Sequence, residues 1–438
     1  MHRSPRRALL VTLLALFTAQ ACDGVVRCDP SLSFESNRPG RSDGGVPMVP
    51  ECPSESSECR VLSVGVGLHT TCVSLERGDI VCFGANAHGQ ASPTTVAPTV
   101  PPSLVDQRGY QLALGDAHTC TQYGPAICWG RTEATGMVGA GPHVMSIDDG
   151  HTDSLVSGAL HACWITTETW FGEGEQPLPA LTCSGLHDSR ALADPTARGP
   201  RSVALPGGAD PLGVGQLLAR GFRTCVQTFD GERVELFCNG GVPPDGPLTD
   251  GAWRSDAWSP RGLEGFQLAL GGTHACFVDF EKRVQCFGED RDGALGPLAA
   301  GTSDTPVLVE LPTSAQQVCV SSGLAVSEGL EVSRLPAHSC ALLIDGSVWC
   351  WGASELGQLG SGAAGSHAPR EVIDGGDVGE ALDFLVCGAT HTCVVGSAGG
   401  LHCWGDSSQG ALVGPIDERG VAHWGALPSD SDDGPPRP

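Results

Sequence analysis

Lysine is almost absent from this chain. Lys282 is the only one in 438 residues, and the formal net charge is −25 at pH 7. A surface so acidic repels phosphate backbones, so nucleic acid is excluded as a partner and the acidity is read as a source of solubility. Aromatics are scarce at 5%, while glycine is abundant at 61 residues, a balance that suits many short strands and tight turns. Beyond the N-terminus no apolar run is long enough to cross a bilayer. No cysteines are paired at Cys-x-x-Cys spacing, which argues against zinc. There is no His-Glu-x-x-His, no P-loop and no Gly-x-Ser-x-Gly elbow. Neither a cofactor nor a catalytic residue is expected.

What is present begins with a leader. MHRSPRRALLVTLLALFTAQAC places Arg3, Arg6 and Arg7 ahead of a short apolar core and closes with Ala19-Gln20-Ala21-Cys22. This reads as a bacterial export signal over residues 1–21. It resembles a lipoprotein signal, in which Cys22 carries the lipid, although Ala19 stands where that pattern prefers Leu; plain secretion is the alternative. Residues 22–59 are rich in Ser, Pro, Gly and acids and read as a disordered tether, and residues 429–438 as a disordered tail. The expected location is the cell envelope, outer membrane or cell surface, with membrane contact only through a lipid on Cys22. Twenty cysteines in an exported chain point to disulfides.

Between the tether and the tail, over residues 60–428, one phrase recurs seven times. Its first halves are GLHTTC (67–72), GDAHTC (115–120), GALHAC (158–163), GFRTC (221–225), GGTHAC (271–276), AHSC (337–340) and GATHTC (388–393). Its second halves are VCFG, ICWG, TCSG, FCNG, QCFG, WCWG and HCWG. The period is about 54 residues, in the range of solenoids and propellers. Each copy reads as a short apolar strand, a glycine turn, a second strand, a hairpin, a third strand and a more variable fourth. Seven copies of four strands predict an all-β, seven-bladed β-propeller, with a β-solenoid as the alternative. Either the strand near Val61–Val66 or the stretch 420–428 could complete the ring.

The two cysteines of each copy lie on either side of the hairpin, where opposed residues come within disulfide reach. The expected pairs are Cys72–Cys82, Cys120–Cys128, Cys163–Cys183, Cys225–Cys238, Cys276–Cys286, Cys340–Cys350 and Cys393–Cys403. Cys319 and Cys387 end the innermost strands of neighbouring blades, which suggests an inter-blade bridge. Cys52 and Cys59 are placed to close a loop, and Cys28 could displace either of them.

The frame Gly-x-x-His-x-Cys…Cys-Trp-Gly, followed by Gly-Gln-Leu-Gly in AHSCALLIDGSVWCWGASELGQLG (337–360), resembles the regulator of chromosome condensation repeat. The resemblance covers roughly residues 60–425 and implies a seven-bladed propeller. The paired cysteines look like an exported bacterial branch of that family. Blade 3 departs at Ser184 and has an enlarged hairpin over 165–181. Blade 4 departs at Arg223 and Asn239, and blade 6 carries an insertion over 321–336. The expected function is a non-catalytic scaffold, monomeric, that binds a protein or glycan. The family also implies an alternative, a secreted enzyme inhibitor, and, against the export signal, a guanine-nucleotide exchange factor.

His69, His118, His161, His274, His338 and His391 recur once per blade, which suits a structural hydrogen bond and not a metal ring, because ligands must converge on one ion. Asp290-Arg291-Asp292-Gly293 hints at a calcium loop but also fits the repeat's own turn. Phe83, Trp129, Phe287, Trp351 and Trp404 occupy the repeat position and are read as blade packing. Trp170, Phe171, Trp253 and Trp258 lie outside it and are the candidate partner anchors. The alternative is that they cap the blades locally. A glycan-processing enzyme would need inward carboxylates, and the repeat positions supply no ring of them.

Overall fold

A computed structural model describes residues 60–124, 126–131, 143–144, 151–167, 180–185, 201–203, 205, 214–229, 234–240, 265–290, 292–297, 301–326, 332–360 and 365–424. The described chain is nearly all strand, arranged as seven antiparallel sheets of a β-propeller. The first sheet runs Val61–Val66, Thr70–Leu75, Asp79–Ala85 and Thr99–Arg108, hydrogen-bonded in that order from the axis outward. The six later inner strands are Gln111–Leu114, His151–Ser157, Val214–Arg220, Gly265–Leu270, Ala315–Val320 and Leu382–Cys387. Each packs against the inner strand of the next blade, and Leu382–Cys387 packs against Val61–Val66, so the ring closes. Closure involves no strand exchange. Val61–Val66 is the inner strand of blade 1 and Ala422–Trp424 the outer strand of blade 7. Among the described residues, blade 4 has three strands.

The repeated phrase builds the second and third strands of every blade. Their register places the two cysteines of each copy directly opposite one another: Cys72 against Cys82, Cys120 against Cys128, Cys163 against Cys183 and Cys225 against Cys238. Cys276 faces Cys286, Cys340 faces Cys350 and Cys393 faces Cys403 in the same way. These seven pairs have Cα atoms 4.0–4.1 Å apart, and Cys319 and Cys387 have theirs at 5.5 Å, all with sulfurs joined. All sixteen sulfur-bearing side chains are buried. Cys22, Cys28, Cys52 and Cys59 lie outside the described residues.

Glycines at the two ends of the phrase answer to close packing. A Cβ on Gly158 would run into the imidazole of His161, and one on Gly288, at φ 113°, would meet the His274 Cα at 2.7 Å. The core is a set of clusters between adjacent blades. One joins Cys72, Ile80 and Val100 of blade 1 to Leu114 and Trp129 of blade 2. Four of the five repeat aromatics carry no more than 0% exposure, and Phe287 shows 3%.

Candidate functional site in the propeller throat

The repeat histidines serve the seams between blades. His391 Nε2 lies 2.8 Å from Thr71 Oγ1, and that hydroxyl donates to the Ala411 carbonyl at 2.9 Å. His274 and Ser339 repeat the pattern, with Ser339 donating to the Ala294 carbonyl. A hydroxyl has one proton, so in both cases it must accept from the histidine, which fixes the Nε2–H tautomer. His161 meets Thr224 at 2.7 Å and His338 meets Thr392 at 2.8 Å. Each hydroxyl belongs to the blade after its histidine. The Nδ1 atoms of His274, His338 and His391 are buried without a hydrogen-bond partner. Burial pushes His118 and His274 down to about 4 and His338 and His391 down to about 3, for His118 against the pull of a backbone hydrogen bond at His161.

Blade 1 corrects the sequence reading. GLHTTC has the length of the frame but carries its histidine one position early, so Thr70, not His69, pairs with Gly84 where the other blades place histidine. His69 instead sits at the 7–1 seam, its Nδ1 3.2 Å from both Thr390 Oγ1 and Asp406 Oδ2. Burial lowers its pKa, and Asp406 opposes the shift. In blade 4, Arg223 takes the histidine position and keeps the register, pairing with Gly240.

The loop after each third strand receives the next blade. Trp129 donates Nε1–H to the Gln90 carbonyl at 2.9 Å, and Thr119 donates to the same oxygen. Trp351 and Ser339 share the Ala294 carbonyl likewise, and Trp404 donates to Gln358. Asp290 accepts the Leu295 N–H, as Asn86 accepts those of Ala91 and Ser92. It therefore acts as a turn residue of the repeat. Asp292 accepts the Ala337 N–H.

Glutamines that the sequence reading passed over clamp the inner strands. Gln267 donates to the Val318 carbonyl at 2.9 Å and accepts the Val318 N–H at 2.8 Å. Gln111 grips Leu155, Gln216 grips Leu268 and Gln317 grips Leu385 in the same two-handed way. The available signal was a Gln followed by Leu or Val in four inner strands.

The inner strands end at a narrow throat lined by residues that include Gly67, Asp116, Ser157, Arg220, Ser322 and Ala389. Backbone bonds tie neighbouring turns together, as from Ala159 N to Gly221 O and from Ala389 N to Gly67 O. Asp116 and Arg220 are the charged residues in this lining. Arg220, from blade 4, donates across the throat to the Cys387 carbonyl of blade 7. The Asp116 carboxylate accepts the Val326 N–H at 3.0 Å. Burial raises Asp116 to about 6, against the opposing pull of that hydrogen bond and of Arg220 and Arg131. Ser322 Oγ is buried with no hydrogen-bond partner.

Val326 belongs to the blade 6 insertion. Leu324–Val326 pairs with Val332–Arg334 as a separate two-stranded hairpin. Its Leu324 and Val326 pack on Ala159, Leu160 and Phe222 of blades 3 and 4. No sequence motif announced this meeting of blades 2, 3, 4 and 6.

Among the described residues the donor sets do not suit a resident metal. His338, Cys340 and Cys387 cluster, but both sulfurs are taken up in the pairs Cys340–Cys350 and Cys319–Cys387. In blade 7, His402 and His423 face each other with Nδ1 atoms 2.9 Å apart, backed by Glu380 and Asp417. Their ring centroids lie 5.1 Å apart, which sets the rings nearly end to end, the geometry of an N–H···N hydrogen bond. Trp170, Phe171, Trp253 and Trp258 lie outside the described residues.

A family model for the regulator of chromosome condensation (RCC1) repeat matches residues 345–395. The ultraviolet-B receptor UVR8 of Arabidopsis thaliana is 28% identical over 180 residues, 39% of this chain and 37% of that protein. The E3 ubiquitin-protein ligase HERC2 of Homo sapiens is 31% identical over 151 residues, 33% of this chain and 3% of that protein. The chain thus spans well under two thirds of either relative. Human WBSCR16 superposes with a TM-score of 0.59 at 19% identity, over 76% of this chain and 85% of that one. Yeast RCC1 (Prp20), solved with Kap60, gives 0.58 at 12% identity over 86% and 87%. At these identities the two structures establish the shared fold. With the family model matched across blades 6 and 7 and the same frame held in register around the ring, the chain carries repeats similar to those of the regulator of chromosome condensation family.

Proposed function

We propose that the protein is an exported, non-catalytic binding scaffold, anchored through a lipid on Cys22 and presenting a rigid propeller to a protein or glycan. The observation that carries this reading is the set of eight buried cystine pairs, one in every blade and one across the 6–7 seam. Such a set is consistent with an oxidising, extracytoplasmic compartment. Propellers of this repeat family are in general protein-binding scaffolds. Stapled blades hold a surface in its binding shape in advance and so reduce the ordering cost of association. The non-catalytic reading is supported by the throat, where Asp116 and Arg220 both bond to backbone and a hairpin packs over the neighbouring turns. The loop aromatics Trp170, Phe171, Trp253 and Trp258 remain the proposed anchors.

Brief protease treatment of intact cells, with released peptides identified by mass spectrometry, tests location and anchoring together. Peptides from residues 60–425, with a lipid-bearing peptide starting at Cys22 in the membrane fraction, are the expected result. Recovery of the protein in the cytosol with free thiols would overturn the export reading.

A further inference from the structure

The blade 6 insertion belongs to one blade but rests on others. Leu324 and Val326 are buried at 0% and 7% exposure against Ala159 and Leu160 of blade 3 and Phe222 of blade 4. Val326 donates its backbone N–H to Asp116 of blade 2, 210 residues away in sequence. Among the described residues the hairpin pairs with no other strand, so nothing in the sheets obliges it to stay. It is held by an apolar contact patch, the hydrogen bond to Asp116 and the Arg334–Glu289 ion pair, and the chain leading into it accepts the Gly272 N–H at the Ser322 carbonyl.

We propose that this hairpin is a reversible plug on the throat, which lifts as a unit and seats more firmly as the medium turns acid. The reasoning is geometric first. Lifting Val326 uncovers Asp116, so the two states of the plug differ in the hydration of one carboxylate. Arg220 and Arg131 are the charged groups that act on that carboxylate. His118, two residues on, is held down to about 4 and stays neutral through the weakly acid range. The hairpin's own Arg334 is paired with Glu289 of blade 5.

The sign follows from linkage. With the plug seated, burial lifts Asp116 from 3.8 to about 6. With the plug lifted, a solvated aspartate returns toward its ordinary value. The seated state therefore binds the extra proton between those limits, and acid favours it. Integrating the two titrations gives a seating equilibrium roughly tenfold more favourable at pH 5 than at pH 7. At neutral pH the buried charge works against the seated plug.

Hydrogen exchange of the Val326 amide, on the full chain and corrected for the intrinsic pH dependence of exchange, reads the seating directly. Protection is expected to rise about tenfold from pH 7 to pH 5. In Asp116→Asn the side-chain carbonyl still accepts the Val326 N–H, and the profile is expected to be flat. Exchange of the seam amide Val318 should not follow that of Val326, because the plug moves without the blades. A flat profile in the native chain, an unchanged slope in Asp116→Asn, or exchange of Val326 in step with Val318 would each overturn the plug. Should Asp116→Asn fail to fold, Arg220→Gln serves. Removing that cation should shift the profile to higher pH, and an unmoved profile counts against the proposal.

Discussion

Consider the loss of one glutamine clamp. Gln267→Ala removes both the donor to the Val318 carbonyl and the acceptor of the Val318 N–H, at 2.9 and 2.8 Å. Val318 is 1% exposed, so its backbone groups are left without a protein partner at the 5–6 seam. Each hydrogen bond contributes about 1 kcal/mol net, and an unsatisfied buried group costs about 1–3 kcal/mol. Gln267 itself is half-buried, so water can reach part of the vacated space and the penalty falls below the full sum. The expected loss is about 2–3 kcal/mol, or roughly a 30- to 150-fold faster exchange of the Val318 amide where local opening governs exchange. The control is Gln316→Ala, one residue before the equivalent clamp of blade 6, at an exposed bulge position. There the change should stay within about 0.5 kcal/mol. If the Val318 amide exchanges no faster in Gln267→Ala than in Gln316→Ala, the clamps are ornamental and the seams are held by apolar contact alone.

The 7–1 seam has Phe384 at the clamp position, 42% exposed. Phe384→Gln should restore a clamp onto Val64, slow exchange of the Val64 amide and raise stability by about 1 kcal/mol. Replacing both Cys276 and Cys286 by Ala opens a ten-residue loop and should cost about 3 kcal/mol in a urea titration with the other pairs intact. An unchanged midpoint would mean that pair adds nothing. The four lowered histidines make the blades acid-sensitive. Their folded pKa values lie at about 3 to 4, below the ordinary 6.5, so their contribution is full above pH 6.5 and is lost as the pH falls toward 4. Unfolding free energy should drop by up to about 1.4 kcal/mol per pH unit for each histidine, and His274→Asn should make the fall shallower by one such step.

The number of blades and the cystine partners were legible in the sequence because both are local. Gly-x-x-His-x-Cys and Cys-Trp-Gly mark two strands of one hairpin, and an antiparallel pair fixes which residues meet. The blade 1 histidine was misplaced because the alignment was anchored on GLH, whereas the fold aligns on Cys72 and Gly84. The fourth strands, expected as a more variable segment, fall in three blades at Arg201–Val203, Gly301–Val309 and Ser366–Ile373. What escaped was carried between blades. Gln267 meets Val318 across 51 residues, and Asp116 meets Val326 across 210. The clamps recur as a Gln before Leu or Val in four inner strands, a trace the sequence reading passed over, whereas the Asp116–Val326 contact occurs once and leaves none. Asp116 and Arg220 are charged residues beside the first glycine of their phrases, where other blades have small or apolar ones, a signal the sequence reading did not use.

The histidine–hydroxyl pairs give the ring an order. Thr71, Thr224, Ser339 and Thr392 each follow a blade that offers histidine, and Ala275 follows the blade that offers Arg223. The 2–3 seam is the exception, since His118 is followed by Ala162; at the other histidine seams a blade is written for the neighbour it has. Moving the chain's ends to another inter-blade loop would keep every such pair intact, whereas exchanging blades 4 and 6 would set an arginine against Thr392 and a histidine against Ala275. The seven units look interchangeable as a repeat, yet as parts of the ring they can be cut open anywhere but not reshuffled.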